Sequence, residues 1–177
     1  MKSIIRFIIL MFLAVPIFAD EPMPPPETYT ICSQNKRYFL ICDAEENLTT
    51  CYELFVPEEY VTDSDSLYFA REKWNIPQWY LYARVSNNGE FCILDDWGGL
   101  VHPDFGTDYV LFMVYRNGEE YAKILLSDVI SETRNLKRTV SHFYWGGIES
   151  LEDDGILLDT VEGKKWYDFA TKKVLVK

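Results

Sequence analysis

From residue 29 onward the chain repeats one pattern: short runs of apolar and aromatic residues, each cut off by residues that turn the backbone. The runs are TYTICS, RYFLIC, TTCYELF, QWYLYARV, EFCILD, YVLFMVYR, EYAKIL, VSHFYW, ILLD, KKWYDF and KKVLVK. Asn88-Gly89 and Asn117-Gly118 are the sharpest separators, because a two-residue hairpin turn needs positive φ and Asn-Gly supplies it cheaply. Asp154-Gly155 and Glu162-Gly163-Lys164 punctuate the end of the chain in the same way. Aromatic residues make up 16% of the sequence, and their flat rings pack well across a pleated surface. The expected fold is all-β, an antiparallel meander forming a partial propeller-like or sandwich domain with one or two short helices.

The run YVLFMVYR is apolar at almost every position, which predicts a central strand covered on both faces. After it, Ser127 or Asp128 can cap a short helix through about Arg134. A second, weaker helix signal lies in SDSLYFAREKW, where Asp65 or Ser66 could cap. No 20-residue internal repeat is plain.

The first residues carry a different pattern. MKSIIRFIILMFLAVPIFAD has Lys2 and Arg6, an apolar run from Phe7 to Val15, then Pro16 and Ala19 before acidic sequence begins. That is the layout of a secretory signal peptide, with a run shorter than the ~20 apolar residues a spanning helix needs. Cleavage is expected after Ala19, although Ile17 is bulkier than the residue such sites favour, which leaves an uncleaved anchor as the alternative. The chain then divides into a signal peptide at 1–19, a proline-rich leader at 20–28 and a single β-rich domain at 29–177. Its destination would be the periplasm or the exterior of the cell. Losing residues 1–19 removes two basic residues and no acid, moving the formal charge from −11 to −13. Phosphate backbones repel a chain this acidic, so nucleic acid is not an expected partner.

All four cysteines fall after the leader. In an oxidising compartment they read as two disulfides, and four cysteines permit three connectivities. The turn DAEEN would bring Cys42 near Cys51 across a hairpin, leaving Cys32 to pair with Cys92. Zinc is the competing reading, but no C-x-x-C pair is present.

From about Gln78 the order of features resembles a loosely defined set of secreted bacterial proteins of unknown function whose β-sheet units are similar to propeller blades. The stretches that carry the resemblance are RVSNNGEFCILDDWGG (84–99), VLFMVYRNGEEYAKILLSDVI (110–130), RTVSHFYWGG (138–147) and WYDFATKKVLV (166–176). It implies blade-like sheets and no particular activity. A closed propeller needs four or more blades of about 40 to 45 residues, so the expectation is two or three packed sheets.

The candidate site is DDWGGLVHPDFGTD, residues 95–108. Asp95, Asp96, Asp104 and Asp108 supply hard oxygens of the kind calcium takes, although the EF-hand order is absent. His102 could act as a base oriented by Asp104 or Asp108, but no G-x-S-x-G accompanies it. Exposed rings beside carboxylates make platforms for sugars or peptides, and Trp97 and Trp145, each beside glycine, are the candidates. The preferred reading is a non-catalytic secreted domain that binds a protein or glycan through Trp97, His102, Asp104 and Trp145, with no cofactor. The alternatives are a metal-dependent or acid-base hydrolase centred on residues 95–108, and a purely structural envelope component.

Overall fold

A computed structural model describes residues 25–57, 68–106 and 108–177. The fold is all-β, built from four antiparallel sheets with one short helix among the described residues. The first sheet comprises β1 (Tyr29–Cys32), β2 (Tyr38–Asp43), β3 (Leu48–Phe55) and β4 (Phe69–Ile76), paired in chain order. The second comprises β5 (Tyr82–Val85), β6 (Phe91–Asp95), β8 (Val110–Arg116) and β9 (Glu119–Leu125). The third comprises β12 (Gly146–Leu151), β13 (Gly155–Thr160), β14 (Gly163–Asp168) and β15 (Lys173–Val176). A small sheet joins the last two: β7 (Leu100–Val101), β11 (Phe143–Tyr144) and β10 (Lys137–Arg138). The signal peptide expected at residues 1–19 lies outside the described residues. Among those described, no helix is long and apolar enough to cross a membrane.

The second sheet is the middle layer, and strand periodicity explains how. Successive side chains point to opposite faces, so a strand buried on both sides feeds two cores. On β6, Phe91 and Ile93 enter the core shared with the third sheet, while Cys92 and Leu94 enter the core shared with the first. On β8, Phe112 and Val114 face the former and Met113 and Tyr115 the latter, as the unbroken apolar run predicts.

The sheets are also tied at their tips. The turn 33–38 (SQNKRY) and the turn 86–91 (SNNGEF) are two copies of one motif. In each, the serine hydroxyl donates to the asparagine Oδ1 at 2.7 Å and accepts the N–H of the closing aromatic residue, Tyr38 or Phe91. The same Oδ1 also accepts one backbone N–H, from Arg37 or from Glu90. The residue between is left-handed, Lys36 at φ 59° and Gly89 at φ 68°. Adjacent tips then bond to one another. Asn35 donates its backbone N–H to the Asn87 side chain and its amide to the Asn87 carbonyl, at 2.9 and 2.8 Å. Asn88 donates its backbone N–H to Asp153, in the β12–β13 turn, at 2.9 Å.

Several expectations change. Residues 69–74, read as part of a helix, fall in the edge strand β4; Asp65 and Ser66 lie outside the described residues. Strand pairing with β3 overrides the local signal there, since Trp74 and Ile76 bury on the first core. The helix α1 (Leu126–Val129) starts earlier than expected, with Asp128 accepting the Leu125 N–H from inside the first turn, and residues 133–135 form a separate 3-10 turn. Asn117-Gly118 is a two-residue turn with both φ positive, at 50° and 85°. Asn88-Gly89 instead belongs to the longer serine-asparagine turn.

The four cysteines stand as free thiols. Hairpin register sets Cys42 opposite Thr49 and Cys51 opposite Leu40, so the two cysteines are not cross-strand partners. Cys32 is exposed at the end of β1, whereas Cys92 is fully buried between the first and second sheets. The first sheet's own strand pattern therefore separates Cys32 from Cys92.

Candidate functional site

The loop 95–108 leaves the end of β6 opposite the bonded tips. Asp95 is buried, at 7% exposure, and both its oxygens accept backbone N–H groups, from Trp97 at 2.7 Å and Gly98 at 3.1 Å. This bends the chain into β7. Burial pushes the Asp95 carboxyl above the usual carboxylate range, and the two backbone donors pull against that shift.

Glycines bring the loop close to the third sheet. A Cβ on Gly99 would lie 2.1 Å from the Gly146 carbonyl oxygen, and the Gly99 φ of 102° suits no other residue. The contact is closed by the Trp145 N–H donating to the Gly99 carbonyl at 3.1 Å. The two W-G-G stretches thus meet glycine to glycine.

Pairing of β7 with β11 gathers the loop's aromatic groups. The Trp97 ring lies 5.3 Å from the His142 ring, and His142 lies 6.0 Å from His102, so both histidines of the chain share one surface. His102 Nδ1 accepts the Asp104 N–H at 3.2 Å, and the Asp104 carboxylate stands 3.7 Å away. His142 Nδ1 lies 2.6 Å from the Ser141 hydroxyl. Trp97 is half-buried, and His102 and Asp104 are exposed.

Trp145 does not join them. It is 1% exposed and packs against Phe112 in the core between the second and third sheets. Tyr144, the last residue of β11, is exposed, whereas Trp145, between β11 and β12, turns into the core. The candidate metal ligands also remain apart. Asp95 is committed to its turn, while Asp96, Asp104 and Asp108 are exposed. Among the described residues no three His, Cys, Asp or Glu side chains are grouped to hold a metal ion.

Beside this loop a cleft of about 310 Å³ opens between the second and third sheets. Tyr82 and Tyr144 line it, 51% and 38% exposed, with Arg84, Asp95, Gly98 and Ile148. Arg84 crosses between the sheets, donating to the Ile148 carbonyl at 2.9 Å. A Cβ on Gly98 would press on the Tyr82 ring at 2.9 Å, so glycine there leaves room for that ring. The cleft can hold a small ligand between apolar ring faces while Arg84 and the strand backbones offer polar contacts.

Tyr82, Arg84 and Tyr144 are the functional candidates that sequence reasoning passed over. The signal was present in YARV, where Ala83 and Val85 alternate inward and Tyr82 and Arg84 outward. No protein-family model matches this chain, and no curated protein matches it.

Proposed function

We propose that this chain is a non-catalytic binding domain, exported through a signal peptide at 1–19, that takes a glycan in the cleft between its second and third sheets. One observation carries the reading: two exposed tyrosine rings, from different sheets, line a single cleft with an arginine and a carboxylate. Aromatic faces beside fixed polar groups suit a sugar ring, which is apolar on its faces and hydroxylated at its edge. Trp97, His102 and Asp104 extend the same end of the molecule and supply contacts for a longer chain. The resemblance to secreted β-sheet proteins agrees with export and adds no ligand.

The test is a fluorescence titration of the whole protein with a panel of soluble oligosaccharides. A saturable change with one of them, lost in Tyr82→Ala and in Tyr144→Ala while the melting temperature holds, is the expected outcome. A panel without any saturable change sinks the glycan reading.

A second reading, an acid-base hydrolase, draws on Asp95 alone, a buried carboxyl held above its usual range at the cleft wall, as a general acid would be. It predicts turnover of a glycoside, ester or peptide that Asp95→Asn abolishes. Background rates across all three classes, with calcium and zinc present, would exclude it.

A further inference from the structure

Sheets that stack as repeats bury a continuous core only where each has a neighbour on both sides, and the end units of a monomeric array carry polar outer faces. The second sheet has both neighbours. Among the described residues the first and third have one each, and each outer face carries a row of apolar side chains among polar ones.

On the first sheet, Tyr38, Leu40 and Cys42 point into the core, so Phe39 and Ile41 point away from it. Phe39 stacks on Tyr52 of the neighbouring strand at 5.2 Å, and Leu54 lies farther along the same face. All four are half-buried and belong to neither core. On the third sheet, Ile156, Leu158 and Tyr167 point inward. Leu157, Trp166 and Leu175 stand in register across three strands on the opposite face, Leu175 being 47% exposed.

The sheet tips indicate what covers these faces. Bonds between neighbouring tips run from Asn35 to Asn87 and from Asn88 to Asp153. The outermost tips are opposite in charge: Lys36 and Arg37 on the first sheet, Glu152, Asp153 and Asp154 on the third. One more step of the same stacking would set a basic first tip beside an acidic third tip, and such a pair exists only between two copies of this chain.

We infer that a second copy covers both end faces, the first sheet of each copy packing on the third sheet of the other. The resulting two-copy ring leaves no sheet face open and uses two equivalent interfaces, each with a tryptophan, the residue type that most often anchors such contacts. This arrangement does not depend on what the cleft binds.

Sedimentation velocity and native mass spectrometry of the whole protein test it. The expected species is a dimer, with Trp166→Glu and Phe39→Glu each raising its dissociation constant by roughly tenfold or more. Circular dichroism checks that both variants remain folded. Lys36→Glu should weaken the dimer, and adding Asp154→Lys should restore it, a rescue that a folding defect would not show. A protein that stays monomeric at high micromolar concentration overturns the inference. So does a growing ladder of oligomers, which would mean that the stacking does not close, or a dimer indifferent to all three single substitutions.

Discussion

Glu53 is buried beneath two arginines that are themselves largely exposed. Arg71 donates to it at 2.6 Å and Arg37 at 2.8 Å, and these bonds, Arg71 first, hold its carboxyl down at about 2. A carboxylate whose folded pKa lies below its unfolded value stabilises the fold above the unfolded value, here the ordinary 4.5, and loses that contribution as pH falls toward 2. Urea titrations should therefore show stability declining between about pH 4.5 and 2, with a shallower decline in Glu53→Gln. The thiols make a second residue-scale prediction. Burial pushes Cys51 up to about 12 and raises Cys92 well above the ordinary thiol range, whereas Cys32 is exposed. A thiol reagent should label one cysteine in the native protein and four in denaturant; fewer than four in denaturant would reveal a disulfide. Gly99→Ala should cost about 1 to 3 kcal/mol or more, because its Cβ would meet the Gly146 carbonyl in a left-handed backbone. A melting temperature equal to wild type would refute that close approach.

At the scale of elements, β6 is where the two cores meet, and its neighbours in sequence serve different interfaces. Ile93→Ala opens a void against the third sheet and Leu94→Ala one against the first, each at a cost of about 2 to 5 kcal/mol in chemical denaturation. If either were nearly free, that face of β6 would not be packed as described. The bonds between tips are a separate element. Asn35→Asp keeps the Oδ1 that organises its own turn but loses the amide donation to the Asn87 carbonyl. A loss of about 0.5 to 1.5 kcal/mol is expected, and Asn87→Ala, which removes the side chain that accepts from Asn35, should fall in the same range. The strands themselves were largely readable. Short continuous apolar runs such as YFLICD and FCILD announce strands, and YVLFMVYR announces burial on both sides. The misses have physical causes: GGIESL of β12 carries too few apolar residues to signal a strand, and FAREKWNI of β4 becomes one because β3 offers it a ladder. The repeated serine-asparagine turn was also visible, as S-x-N at 33–35 and 86–88, but its meaning lies in hydrogen bonds that only a folded chain makes.

For the whole molecule, the second sheet shares a core with each of the others, so neither end sheet has a core of its own. Thermal unfolding should accordingly be one cooperative transition, and two resolved transitions would mean that an end sheet melts alone. The amino-acid pattern by itself determined that this chain builds antiparallel hairpins, because alternation and positive-φ turns act over a few residues. It also marked the end of β6 as the place to look, through Asp95, Trp97 and the glycines. Tertiary structure decided the rest. Whether Trp145 faces solvent or core, whether Cys32 can reach Cys92, and whether Tyr82 and Tyr144 share a cleft depend on which sheet packs against which. That choice is made by contacts between residues tens of positions apart, and no local pattern encodes them.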